Sequence, residues 1–144
     1  MLPHFIFKGS AYKQGIAHGK SLKTAIKNNI AVYLNRFTSE AGMNKNALFG
    51  NTEIYANVLT KQNYDYVEGM KGIAEGSGID FIKIAMLNLR YELLYHALGK
   101  RYVDHTTDGC TSFAIMPEAN KKKHVIIGQN WDWIPEVECV LVTS

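Results

Sequence analysis

The feature that most constrains this chain is a change of periodicity near residue 106. Before it, apolar residues recur at helical spacing; after it, they come in short bursts of the kind that make strands. At the boundary stands Asp108-Gly109-Cys110. The chain is therefore expected to be α+β, with a mostly helical leader over residues 1–109 and the start of a β-rich segment over 110–144.

Within the leader, His4-Phe5-Ile6-Phe7-Lys8 reads as a short strand ended by Gly9-Ser10. Ser10 is suited to cap a helix whose inward face carries Leu22, Ile26, Ile30, Tyr33, Leu34 and Phe37. Gly15 and Gly19 lie early in it, and mark either a close approach of another backbone or a break between two helices. A second helix is expected after Asn51 or Thr52, with Ile54, Val58 and Leu59 inward, running on through Tyr66, Val67 and Met70 to Ile73. Glu75-Gly76-Ser77-Gly78 reads as a loop that ends it. A third helix starts at Asp80, with Ile79 and Ile84 as a hydrophobic staple and Ile84, Leu87, Tyr91, Leu94 and Leu98 on its apolar face, and stops at Gly99. Beyond the boundary, residues 111–116 and 124–130 read as two strands joined by a polar turn, and 139–143 as a third.

The charge balance excludes several classes. With 16 Lys+Arg against 13 Asp+Glu the net charge is +3, and no basic stripe is interleaved with aromatics, so nucleic acid is not an expected partner. Lys121-Lys122-Lys123 reads as a solvated turn. No run approaches the roughly 18 apolar residues of a bilayer span, and the N-terminus lacks the layout of a secretory signal, which together predict a cytoplasmic protein away from membranes. An apolar fraction of 47% is enough for a core. His105, Asp108, Cys110 and His124 match no zinc spacing, and no metal is expected.

Three groups of residues bear on chemistry. Cys110 reads in two ways. By residue type it is a small buried hydrophobe. By position it follows a glycine whose carbonyl is open to attack, so its thiol can cut the Gly109–Cys110 bond. The freed α-amine, with a reference pKa near ~7.7–8.0, then serves as the base for the thiol of the same residue. The second group is Asn130-Trp131-Asp132-Trp133. Its tryptophans read as core and its aspartate as a local cap, or else Asp132 orients the α-amine or the substrate while Asn130 adds a polar contact. A hairpin of the two strands would return Asp132 to Cys110. The third is Asn88-Leu-Arg90-Tyr-Glu92. Arg90 and Glu92 fall about 200° apart on a regular helix, so either the helix distorts or only one of them faces a site.

Four segments in order resemble the acyl-coenzyme A:6-aminopenicillanic acid acyltransferase (isopenicillin N acyltransferase) family of N-terminal-nucleophile hydrolases. They are residues 9–19 (GSAYKQGIAHG), residues 72–78 (GIAEGSG), residues 88–92 (NLRYE), and DGCT at 108–111 followed by QNWD at 129–132. The resemblance implies a proenzyme that cuts itself between Gly109 and Cys110, making 1–109 the small subunit and Cys110 the nucleophile. It implies that Asp132 is the active-site aspartate, with Asn130, Arg90 and Glu92 binding substrate or supporting the site. The activity implied is transfer or hydrolysis of acyl groups from non-peptide amides through a thioester at Cys110, with no cofactor. Coenzyme A thioesters enter only as substrates.

The family's fold is an αββα sandwich, of which this chain would be the N-terminal part. The 35 residues 110–144 supply about three strands, so the catalytic segment is expected to be incomplete and inactive alone. Expected partners are a small-molecule amide or acyl donor, the rest of the catalytic polypeptide and, through unpaired strand edges, further copies of the chain. A related reading is an amidase like penicillin V acylase or bile acid hydrolase, in which the cysteine follows the initiator Met directly, unlike Cys110. A reading of another class is a truncated, non-enzymatic remnant or interaction module.

Overall fold

The computed structural model describes residues 3–99, 110–130, 132–138 and 141–143. Its elements run β1 (His4–Ile6), α1 (Ala11–Ser21), α2 (Lys23–Asn35), α3 (Lys45–Gln62), α4 (Tyr64–Ser77), α5 (Phe81–Asn88), α6 (Arg90–Leu98), β2 (Thr111–Ile115), β3 (Ile126–Asn130) and β4 (Leu141–Thr143). The described residues thus form a mixed α+β structure. Among them no helix is long and apolar enough to cross a membrane.

Ser10 caps α1 by accepting from the Lys13 N–H at 3.4 Å. The helix ends sooner than its periodicity suggests, because Leu22 leaves helical geometry at φ −117° and α2 begins in a new direction. Gly15 and Gly19 serve the other purpose foreseen for them. A Cβ on Gly15 would overlap the Gly69 carbonyl oxygen and stand 2.9 Å from Ile73 N, and one on Gly19 would stand 2.7 Å from Ser77 N. From the facing helix, a Cβ on Gly72 would overlap the Tyr12 carbonyl, and one on Gly76 the Ile16 carbonyl. Helices α1 and α4 therefore meet backbone to backbone, and the first two segments of the family resemblance are the two sides of that contact.

This contact corrects the expected loop at 75–78. Gly76 and Ser77 continue α4, and the turn is deferred to Gly78, which takes a left-handed φ of 65° as the helix C-cap. The expected second helix is also corrected. Helix α3 starts at Lys45, capped by Asn44, and buries Leu48, Thr52 and Ala56, while Ile54 (63%) and Val58 (46%) are exposed. Periodicity passes over that face because Thr52 looks polar. Its hydroxyl satisfies itself by donating to the Leu48 carbonyl at 2.8 Å, so the residue is buried at little cost. Asn63 then breaks the chain into α3 and α4, its side chain accepting from the Tyr66 N–H at 3.1 Å.

Asp80 precedes α5 as expected but makes no side-chain cap bond; its carboxylate pairs with Lys83 at 2.9 Å. The core gathers Ile26, Ile30, Tyr33, Phe37, Leu48, Val67, Met70, Ile84, Met86, Leu93 and Leu94 from α2 to α6 and the turn after α2. Trp133, Ile134 and Val137 lean on it from the far end of the chain.

Strands β2 and β3 form an antiparallel hairpin in register Thr111↔Asn130 through Ile115↔Ile126. Asn120 clasps its turn by donating to the carbonyls of Met116 and His124. Strand β4 does not extend this hairpin; it pairs in parallel with β1, His4 opposite Leu141. The hairpin carries exposed apolar side chains, among them Phe113, Val125 and Ile127. The Phe113 ring lies over Gly128, its cross-strand partner, where a side chain would collide with it.

Candidate functional site at the seam between leader and hairpin

Cys110 immediately precedes β2, and the hairpin register pairs its neighbour Thr111 with Asn130. Asp132 lies two residues past that pair, so the ladder itself brings the two ends together. The Cys110 Sγ stands 4.0 Å from the Asp132 backbone carbonyl, to which the thiol donates. The Asp132 carboxylate accepts from Asn130 Nδ2 on both oxygens, at 3.1 and 3.3 Å. That shared contact holds the carboxylate against Asn130, while the thiol meets the Asp132 main chain. All three side chains are exposed, so a reacting group has access to them. Gly109, the other side of the expected cleavage site, lies outside the described residues, as do Trp131, His105, Asp108 and Cys139.

The helix expected from Asp80 to Gly99 is broken, but before Arg90 rather than between Arg90 and Glu92, which both lie in the first turn of α6 and so still project to different sides. Helix α5 stops at Asn88, Leu89 takes φ −95° and ψ 16°, and α6 begins at Arg90. The Arg90 guanidinium donates to the Leu87 carbonyl at 3.2 Å and stacks over the rings of Tyr91 (4.9 Å) and Tyr33 (5.7 Å). Both tyrosines touch Trp133. The Tyr91 ring centroid lies 5.3 Å from that of Trp133, and the Trp133 indole N–H donates to the Tyr33 hydroxyl at 2.6 Å. Arg90 thus sits behind the residue that follows Asp132, in an aromatic cluster. Glu92 is exposed and has no described bond to Cys110, Asn130 or Asp132.

Asn88 faces another feature. It accepts from the Tyr66 hydroxyl at 3.0 Å, at the rim of a cleft of about 230 Å³ lined by Phe7, Gly15, His18, Tyr66 and Met70. Burial pushes the His18 imidazole below its usual range, and its ring stacks on Phe7 at 5.8 Å. Burial also raises the Tyr66 phenol, opposed by the nearby Arg90 charge and assisted by that of Glu92. Cys110, Asn130 and Asp132 do not line this cleft.

Three participants escape a reading by pattern. Tyr33 is visible only as one more member of the buried face of its helix, since its partner is 100 residues away. The signal is the hydroxyl itself: a buried tyrosine needs a polar partner, and position in the sequence does not say which. Asn29 and Asn28 are the others, binding Glu138 from the same helix. Among the described residues no three His, Cys, Asp or Glu side chains gather as a metal would require. No family model matches the chain.

Proposed function

We propose that the protein is a cysteine N-terminal-nucleophile acyltransferase or amidohydrolase that matures by cutting itself between Gly109 and Cys110. In maturation the Cys110 thiol adds to the Gly109 carbonyl. The C–N bond breaks as the Cys110 nitrogen takes a proton, leaving a thioester. Water then hydrolyses the thioester, giving a Gly109 carboxylate and a free Cys110 bearing both thiol and α-amine. In turnover the α-amine takes the thiol proton, the thiolate attacks an amide or thioester carbonyl of a small-molecule donor, and the acyl group passes to water or an amine. Asp132, held by Asn130, orients the α-amine.

The observation that carries this reading is the juxtaposition of Cys110 with the main chain of Asp132, whose carboxylate is held by Asn130, at the open end of a hairpin. The four-segment resemblance to the isopenicillin N acyltransferase family supports it, with an αββα sandwich as the parent fold. So does the direct packing of the first two of those segments on one another. A second reading, a module whose function is association, draws on the exposed apolar side chains of the hairpin.

Intact-mass analysis of the full-length protein separates the two. Self-cleavage yields a fragment ending at Gly109, which Cys110→Ala abolishes, and brief incubation with an activated acyl ester adds one acyl group to the fragment beginning at Cys110. A chain that stays whole and acquires no acyl group excludes the enzyme reading.

A further inference from the structure

Segment 132–138 crosses helix α2 and is bonded to it at both ends. At one end the Glu138 N–H donates to Asn29 Oδ1 at 2.8 Å, Asn29 Nδ2 returns a bond to the Glu138 carbonyl at 3.0 Å, and Asn28 donates to the Glu138 carboxylate. At the other end the Trp133 indole donates to the Tyr33 hydroxyl. Asn29 and Tyr33 are four residues apart, one turn of the same helix, and so share a face. The span they hold begins one residue from Asp132, whose backbone carbonyl is the group that the Cys110 thiol contacts. Cys110 and Asp132 are themselves exposed and have little packing of their own. Tyr33, by contrast, is 1% exposed and is fixed in the core among Ile30, Phe37 and the Arg90 guanidinium.

The geometry points to Tyr33 as a positioning residue for the reaction: its hydroxyl oxygen fixes Trp133, and through it holds Asp132 in register with Cys110. This rests on Cys110 being the nucleophile. The bond also crosses the cleavage point, so the leader positions the nucleophile's partner from the other side of the cut, before and after maturation. A thiol displaced by an ångström from its productive geometry loses about 100-fold in rate, and loosening one anchor of two is expected to cost about half of that free energy, roughly tenfold. Tyr33→Phe deletes the acceptor and Trp133→Phe the donor, each leaving an aromatic ring at its position.

The test uses the full-length protein, with Tyr33→Phe, Trp133→Phe and the double variant. It follows the first-order rate of self-cleavage by intact mass and the side-chain amide resonances of Asn130 by ¹⁵N NMR. Each single variant is expected to slow cleavage about tenfold and to shift the Asn130 resonances, leaving the amides of Gly15 and Gly72 unmoved. The double variant is expected to be no slower than either single, since both remove one bond. Cleavage of Tyr33→Phe at the wild-type rate, or a double variant slowed by the product of the two effects, overturns the assignment. A wild-type protein that does not cleave defeats the nucleophile reading instead. In that case the positioning role falls with it, whereas a wild-type protein that cleaves, with Asn130 resonances unmoved in Tyr33→Phe, overturns the positioning role alone.

Discussion

The helical leader and the β2–β3 hairpin solve opposite problems. The leader buries its apolar residues around a core in which Phe37, Leu48 and Leu93 are wholly inaccessible, and it brings α1 and α4 so close that no side chain separates them. The hairpin keeps its backbone bonds but leaves Phe113, Val125 and Ile127 in the open. Stability therefore resides in the leader, and the candidate chemistry resides at the start of the hairpin. Among the described residues they are joined through the 132–138 segment, anchored to α2 by Tyr33, Asn28 and Asn29, and further along by the pairing of β4 with β1. The lesson is that the packed leader anchors the segment that follows Asp132, while Cys110 and Asp132 themselves stay exposed.

Substitutions in the two regions should differ most where a four-carbon aliphatic side chain is shortened to a methyl. Leu94→Ala removes a buried group from the core and is expected to lower unfolding free energy by about 2–5 kcal/mol. Ile127→Ala, 77% exposed, should change it by less than about 0.5 kcal/mol. Urea titration of both variants breaks the comparison if the two losses are alike. Next in size is the helix crossing. Gly72→Ala drives a methyl into the Tyr12 carbonyl, which cannot move without separating the helices, and should cost about 1–3 kcal/mol. Gly50→Ala, in α3 with open space around it, should instead stabilise by about 0.5–1 kcal/mol. Equal and small effects at the two glycines would deny the close approach.

A smaller effect sharpens the account of the leader's cleft. Burial lowers the His18 pKa in the folded state, so the unfolded chain takes up the proton first as pH falls. His18 therefore contributes no pH dependence above its unfolded value of about 6.5, and stability declines as pH drops below it toward the lower folded pKa. His18→Gln should flatten the fall in urea midpoint between pH 7 and pH 5.5. A wild-type midpoint that rises over that interval would mean that the imidazole is charged in the fold.

Much of the fold was legible in residue patterns because local chemistry sets it. Ser10 as a cap, Gly99 as a stop, the hairpin boundaries and the buried stripe Ile26, Ile30, Tyr33 and Phe37 follow from spacing and turn chemistry. The inward face of α3 was not, because Thr52 hides its polarity in a bond to its own helix. Nor was the continuation of α4 through Gly76, where a need for room overrides helix propensity. At the candidate site, the nearness of Cys110, Asn130 and Asp132 follows from the hairpin register. The anchoring by Tyr33 does not, since a contact across 100 residues leaves no periodic trace.

The central claim is that Cys110 becomes a chain terminus carrying thiol and amine together. Only an N-terminal cysteine condenses with 2-cyanobenzothiazole to a stable luciferin-type ring, so labelling the full-length protein and locating the adduct by mass reads this directly. The account predicts the label on a fragment whose first residue is Cys110, lost in Cys110→Ala. A chain that remains uncut, with Cys110 open to iodoacetamide but never forming the ring, would contradict it.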